Sequence, residues 1–257
     1  MISVADFVRF SLSFIRLTTF FSAAPLFSMR SVPIAAKVGL SAFCALIALP
    51  ELDPAWDLGS WHVLALLAAQ EVAVGLLLAL MVILVFAVVT FAGHFVDVPL
   101  GFGMASVFDP SLGGQVPVFS QFYHIVAALI FLGLNAHLWL IQAVQQSFQI
   151  LPFGSILRIE PSFWLLVDLV KQMFVIGLKI ALPVTATILL TDIGLGIVIR
   201  AVPQINVFVL GFPIKITVGL VIVMFAIPAA VSIITELFTS DGLLFRYLQE
   251  LFALGGS

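Results

Sequence analysis

Few side chains in this 257-residue chain could carry chemistry, and their spacing restricts what that chemistry could be. His94 and Asp97 stand three residues apart and could hydrogen-bond within one helical turn. That is the minimum for an acid–base pair, yet a His–Asp pair without a third group is more often structural than catalytic. The remaining histidines, His62, His124 and His137, are scattered rather than set at ligand spacing. The chain has no pair of histidines in the H-E-x-x-H zinc arrangement, no G-x-S-x-G nucleophile turn and no Walker phosphate loop. Cys44 is the single cysteine and lies in an apolar stretch, so it reads as a small buried hydrophobe. These residue types point away from an enzyme, and they imply no cofactor and no metal.

Charges set within apolar sequence carry more information. Arg9 and Arg16 are seven apart and share one helical face. Glu71 lies well inside an apolar run, and Asp168, Lys171 and Lys179 interrupt another. A charge at the centre of a bilayer costs about 2.5–3.5 kcal/mol on insertion scales, so two lysines facing lipid would oppose spanning by roughly 5–7 kcal/mol. Asp168 and Lys171 have the three-residue spacing of a helical pair. Lys179 has no local partner, and snorkelling or an interface position is favoured over a proton relay. Gln142, Gln145, Gln146 and Gln149 repeat at three- and four-residue intervals and form one amide face, suited to a helix–helix interface or to contact with a substrate.

The stretch from Pro99 to Pro117 differs from both kinds of segment. Its glycines and prolines oppose continuous helix, yet it keeps Phe102, Met104, Val107, Phe108 and Leu112. Non-helical apolar chain at membrane depth is tolerated inside protein or along a cavity. Two readings stand level on chemistry alone. In one, the Met and Phe side chains close a narrow passage; in the other, the segment is a re-entrant loop packed between helices. Gly101-Phe102-Gly103 has the spacing of the glycine-x-glycine-Asp motif of intramembrane aspartyl proteases, but Met104 stands where the carboxylate would be.

The elements that position these residues follow from composition. Apolar residues make up 63% of the chain and charged residues 9%, against about 45–50% and 25% in soluble domains. A chain of this length cannot hide that much apolar surface from water by itself, so lipid or partner subunits must cover it. The net charge of −3, with no basic run, argues against nucleic acid. Six apolar blocks stand out: Val4–Phe27, Val32–Pro50, Trp61–Gly93, Val118–Phe148, Phe163–Leu190 and Val207–Leu237. A helix of about 20 apolar residues crosses the hydrocarbon core, and lipid forces backbone groups to pair internally, so each block is expected to be helical. The blocks are too long and too continuous for barrel strands. The expectation is therefore an all-α integral membrane protein of about six long, kinked helices. Pro25, Pro33, Pro183, Pro213 and Pro228 favour kinks or breaks, with Gly211-Phe212-Pro213 expected to break the last block near its start. Arg30 and Lys37 place the first link on the cytoplasmic side, while later links are too poor in basic residues to confirm alternation. The N-terminus lacks a basic region ahead of its apolar run, so membrane insertion is expected to use retained segments.

Several ordered motifs together resemble the FliR family of flagellar biosynthesis proteins over nearly the whole chain. Phe7-Val8-Arg9, Arg16, Pro25-Leu26-Phe27-Ser28 and Val32-Pro33 look like the family opening. Met104-Ala105 and Asp109-Pro110 within Gly101–Pro117 look like its central loop. The nearest local match runs from Phe131-Leu132 through Asn135-Ala136-His137-Leu138-Trp139-Leu140-Ile141 and Ser147-Phe148 to Leu151-Pro152-Phe153-Gly154. Ala136 departs from the glycine usual there. Gly194-Leu195-Gly196, Arg200, Pro203-Gln204-Ile205-Asn206-Val207-Phe208 and Pro213-Ile214-Lys215-Ile216 look like the family's last hairpin.

That resemblance implies a non-enzymatic subunit of the flagellar type III protein-export gate. The implied partners are FliP-like and FliQ-like subunits, FlhB-like and FlhA-like export proteins, unfolded flagellar substrates and membrane lipid. The implied location is the bacterial inner membrane, multi-pass, in the flagellar basal body. A FliP-like part over 1–157 would precede a FliQ-like hairpin and tail over 158–257. The resemblance assigns the pore plug to Gly101, Phe102, Gly103, Met104, Val107, Phe108, Asp109, Pro110, Gly113 and Gly114. Candidates for subunit contact are Arg9, Arg16, Asn135, His137, Gln142, Lys171, Lys179, Arg200, Gln204, Asn206 and Lys215. Two alternatives are a secondary transporter of ions or small solutes, weakened by the lack of a repeat between halves, and an intramembrane enzyme, weakened by the missing signatures.

Overall fold

The computed structural model describes residues 4–29, 32–48, 50, 60–102, 117–154, 159–204 and 207–255. Among these, every regular element is a helix. In chain order they are α1 (Val4–Ala23), α2 (Ile34–Ala48), α3 (Trp61–Leu100), α4 (Val118–Gly133), α5 (Ala136–Ile150), α6 (Ile159–Ala201), α7 (Val207–Phe238) and α8 (Leu243–Gly255).

Each apolar block becomes helix, with two departures. The fourth block is two helices, α4 and α5, bent by 73°. At the break Asn135 adopts a left-handed φ of 56°, its amide donating to the Leu132 carbonyl and its own carbonyl accepting from Leu138. Asn tolerates that conformation better than a branched residue would. The second departure concerns proline. The expected break at Gly211-Phe212-Pro213 does not occur: α7 runs through both Pro213 and Pro228, and α6 through Pro183. Each proline forfeits a ladder bond, but in long apolar helices neighbouring helices and local adjustment make that loss tolerable.

Three stretches are long and apolar enough to span a membrane: Trp61–Leu100, Glu160–Ala201 and Leu210–Leu254, with the bent α4–α5 pair a fourth. The 40 residues of α3 extend about 60 Å at 1.5 Å per residue, about twice the hydrocarbon thickness. The chain buries 56% of the apolar window of α3, but 28% of that in α6 and 22% of that in Leu210–Leu254. The last two therefore leave most of their apolar surface to lipid or to other polypeptides.

The chain forms two compact units, each drawing sequence from both sides of position 158. One comprises Met1–Val85, Leu132–Val170 and Phe238–Ser257, the other Phe86–Phe131 and Lys171–Leu237. The first has a core of Leu12, Leu17, Phe20, Phe21, Leu140 and Phe148. The C-terminal segment belongs to that core as α8: Leu244, Leu248 and Leu251 are buried, and Phe245 packs edge-on against Trp139 at 5.6 Å. In the second unit, Phe86 meets Phe131 at 5.6 Å, Phe91 meets Phe174 at 4.7 Å, and Ile180, Val184 and Ile188 of α6 are buried.

Candidate functional site

The second unit contains both ends of the apolar loop. α3 ends at Leu100, and Gly101 turns the chain with a φ of 85°, a conformation costly for any residue with a Cβ. Three residues before the end of α3, the Asp97 carboxylate is buried at 4% exposure. Its Oδ1 accepts the backbone N–H of Phe119 at 2.8 Å, and its Oδ2 that of Ser120 at 3.1 Å. Those amides lie in the first turn of α4, where they have no partner within the helix. A carboxylate there also meets the positive end of the helix dipole. The Ser120 hydroxyl donates to the Thr90 carbonyl at 3.0 Å. Gly93 lies directly against the Ser120 backbone, where a Cβ would collide with main-chain atoms. The Phe102 and Phe119 rings meet at 6.0 Å, and the Thr185 hydroxyl of α6 donates to the Phe95 carbonyl at 3.1 Å.

This arrangement removes the acid–base reading of His94 and Asp97. His94 is exposed, while both Asp97 oxygens are occupied by backbone amides. Gly101 and Phe102 mark the start of the loop. The other plug candidates, Gly103, Met104, Val107, Phe108, Asp109, Pro110, Gly113 and Gly114, lie outside the described residues.

The first unit contains a buried ionic cluster. Arg16 of α1 has no exposed surface and meets Glu71 of α3 in a two-point pair, Nε to Oε2 at 2.5 Å and Nη2 to Oε1 at 3.0 Å. Nη1 donates to the Ser147 hydroxyl at 3.1 Å, and Nη2 also donates to the Leu151 carbonyl at 2.8 Å. The guanidinium lies 4.2 Å from the Phe148 ring centroid. A cation beside the C-terminal carbonyls of α5 has the favourable sign. Arg16 therefore leaves the set of subunit-contact residues, because its side chain is consumed inside the fold.

The other contact candidates are dispersed. Arg9 is half-buried, 3.9 Å from Asp6, and its Nε has no hydrogen-bond partner among the described residues. His137 is half-buried, and its Nδ1 has none either. Asn135, Gln142, Lys171, Lys179, Arg200 and Gln204 are exposed, and Asn206 lies outside the described residues. Lys215 pairs with Asp192 across α6 and α7. The anticipated Asp168–Lys171 pair gives way to a hydrogen bond from the Tyr247 hydroxyl of α8 to Asp168. Gln142, Gln145, Gln146 and Gln149 together line an open depression of about 350 Å³. Sequence reasoning missed the partnerships of Glu71, Asp97, Asp168 and Asp192; only the isolation of each charge in apolar sequence signalled that it needed one. No group of three or more His, Cys, Asp or Glu among the described residues could hold a metal ion.

Residues 7–240 match the family model described as bacterial export proteins, family 1. The chain is similar to the flagellar biosynthetic protein FliR of Bacillus subtilis (strain 168), at 35% identity over 265 residues covering 100% of this chain and 99% of that protein. It is similar to the FliR of Escherichia coli (strain K12) at 33% identity, covering 88% of this chain and 86% of that one. The FliR of Pectobacterium carotovorum subsp. carotovorum is 32% identical, with 90% and 88% covered.

Proposed function

The chain belongs to family 1 of the bacterial export proteins, with the FliR flagellar biosynthetic proteins, and from that premise we propose that it is a non-enzymatic subunit of the flagellar type III export gate. In this reading it helps form and close the pore through which unfolded flagellar substrates pass. It works in the bacterial inner membrane with FliP-like and FliQ-like subunits, and with FlhA-like and FlhB-like export proteins. The family match across almost the full chain carries the reading.

Surface chemistry supports it. Leu189, Leu190, Ile193 and Ile197 of α6 and Met224 and Phe225 of α7 are exposed, which requires apolar cover. Lys171, Lys179 and Arg200 are exposed on the same α6, and lipid alone covers such charges poorly. A mixed surface of this kind suits a helix packed among other subunits. Arg9, Asn135, His137, Gln142, Lys171, Lys179, Arg200, Gln204, Asn206 and Lys215 are the proposed contacts. The division into a FliP-like part over 1–157 and a FliQ-like hairpin over 158–257 belongs to the same proposal. So does the plug at 101–117, with Phe102, Met104, Val107 and Phe108 as its apolar seal. A secondary transporter would require broken helices converging on a site at mid-membrane. Here α6 and α7 are continuous, the bent pair α4–α5 contains no Asp, Glu, Lys or Arg, and the buried charges Arg16 and Glu71 are spent on each other.

Two measurements test the proposal. Purification of the tagged chain from its own membranes should bring down FliP-like and FliQ-like subunits; recovery of a solitary chain competent for solute uptake in liposomes would favour a transporter instead. Deletion of Val107–Gly114 in an assembled complex should raise ion conductance at rest, and an unchanged conductance would remove the plug.

A further inference from the structure

Both aspartates of α6 are already engaged: Asp168 accepts from the Tyr247 hydroxyl, and Asp192 pairs with Lys215. Lys171 and Lys179 of the same helix are exposed, and neither has an ion pair or hydrogen bond among the described residues. Their setting is apolar. At 3.6 residues per turn, Lys171, Val175, Leu178, Leu182 and Leu189 fall within an arc of about 60° on α6. All five are exposed. The intervals between them are four, three, four and seven residues, the repeat by which one helix packs along another. Lys179 lies on the flank of this arc, at the kind of position where a charge selects the partner helix. The two lysines are eight residues apart, or about 12 Å along the axis.

We propose that this face of α6 is the seam for one apolar helix of a partner subunit, and that the partner helix carries two carboxylates about 12 Å apart, one for each lysine. This rests on the gate reading above and names the chemistry of the neighbour at Lys171 and Lys179. The mixture of side chains selects that occupant. Hydrocarbon would cover Val175, Leu178, Leu182 and Leu189 but leave both ammonium groups without a counterion. A layer of lipid headgroups across both lysines would set Val175 and Leu178, which lie between them, among phosphates and water. An apolar helix covers the seam, and closing it strips water from the ammonium groups, which is tolerated opposite a carboxylate and not otherwise. The same lysines reject a helix that presents basic groups at those two levels, so they set register as well as affinity.

The test purifies the tagged full chain from its own membranes and measures the recovery of FliP-like and FliQ-like subunits at equal yield of the tagged chain. Lys171→Met with Lys179→Met keeps the length of both side chains and removes their charge. The proposal expects that double variant to lose partner recovery tenfold or more, because it leaves two carboxylates unpaired in the seam, and Lys171→Arg with Lys179→Arg to retain it. Wild-type recovery in the Met variant overturns the proposal and leaves the gate reading standing; a wild-type chain that brings down neither subunit removes the gate reading itself. An Arg variant that fails as badly as the Met variant shows that shape rather than charge decides, and also overturns the proposal. A measurement on the unaltered complex is independent of variant assembly. Acetic anhydride should acylate Lys171 and Lys179 at least tenfold more slowly in the intact complex than after denaturation, and equal rates would place both lysines in water. Partner recovery that falls tenfold when phosphatidylglycerol is omitted from the detergent micelles would assign the lysines to lipid phosphate and overturn the proposal.

Discussion

Replacing Glu71 by Ala should unfold the first compact unit far more than replacing Arg16 and Glu71 together by apolar residues. The structure sets the magnitude. Arg16 is fully enclosed, and its guanidinium makes two bonds to Glu71 and one each to Ser147 and Leu151. Without Glu71 the two neutral acceptors and the Phe148 ring remain, and none of them supplies a countercharge. Leaving one member of a buried pair uncompensated costs about 3–5 kcal/mol, whereas exchanging a whole pair for apolar side chains of similar volume is often neutral or favourable by about 1–4 kcal/mol. Since single domains are stable by about 5–15 kcal/mol, the single change consumes a large share of the margin. At about 2–4 °C per kcal/mol for chains of this size, Glu71→Ala should lower the unfolding midpoint by roughly 10 °C. Arg16→Met with Glu71→Leu should recover most of that loss. The assay is thermal unfolding of the detergent-purified complex by tryptophan fluorescence, with the Arg16→Met single variant completing the cycle. The reasoning is refuted if Glu71→Ala melts within a degree or two of wild type, or if the double variant is no more stable than either single.

Three further outcomes follow from contacts elsewhere. Gly93→Ala places a Cβ against the Ser120 backbone, so it should destabilise the complex by about 1–3 kcal/mol through overpacking; an unchanged melting midpoint would contradict that packing. Tyr247→Phe removes the hydroxyl that α8 offers to Asp168, costing about 1 kcal/mol at this partly solvated site; faster proteolytic clipping within 243–255 is the readout, and wild-type resistance would mean that α8 is held by its apolar face alone. Gln142→Leu with Gln146→Leu removes two of the four amides of the exposed depression. If that face docks on a neighbouring subunit at about 0.6–2 kcal/mol per amide, co-purification of partner subunits should fall, and undiminished recovery would exclude the face from the interface.

Local sequence predicted what depends on local chemistry. Composition and the length of the apolar runs predict membrane helices, and all six blocks are helical because lipid or protein cover leaves the backbone no other way to pair. The interruption at Asn135-Ala136-His137 marks the bend between α4 and α5, and the repeat of Gln142, Gln145, Gln146 and Gln149 marks one face. What escaped was every pairing set by tertiary packing. Glu71 finds Arg16 from 55 residues away, and Asp168 takes Tyr247 from 79 residues away in preference to the nearby Lys171. Helical spacing brings Asp168 and Lys171 within reach but cannot reveal a phenol delivered by another helix. α8 escaped for a related reason. Arg246, Gln249 and Glu250 dilute its hydropathy, while Leu244, Leu248 and Leu251 on its other face complete a core that exists only once the rest of the unit is in place. Prolines misled because their cost in a helix is fixed, whereas the cost of the alternative, unpaired backbone in an apolar setting, depends on surroundings that the local sequence does not show.

The Arg16 cluster also has a timetable. Glu71 is synthesised 55 residues after Arg16, but Ser147 and Leu151 follow it by 131 and 135 residues. At bacterial elongation rates of about 5–20 residues per second, the later two arrive on the order of ten seconds after the arginine leaves the ribosome. For that interval a strongly basic group destined for a dry interior has only part of its final coordination. Water, a lipid headgroup or the insertion machinery must stand in for the missing hydroxyl and carbonyl. A nascent chain halted ahead of Ser147 should accordingly leave Arg16 open to a guanidine-reactive reagent that the finished protein excludes.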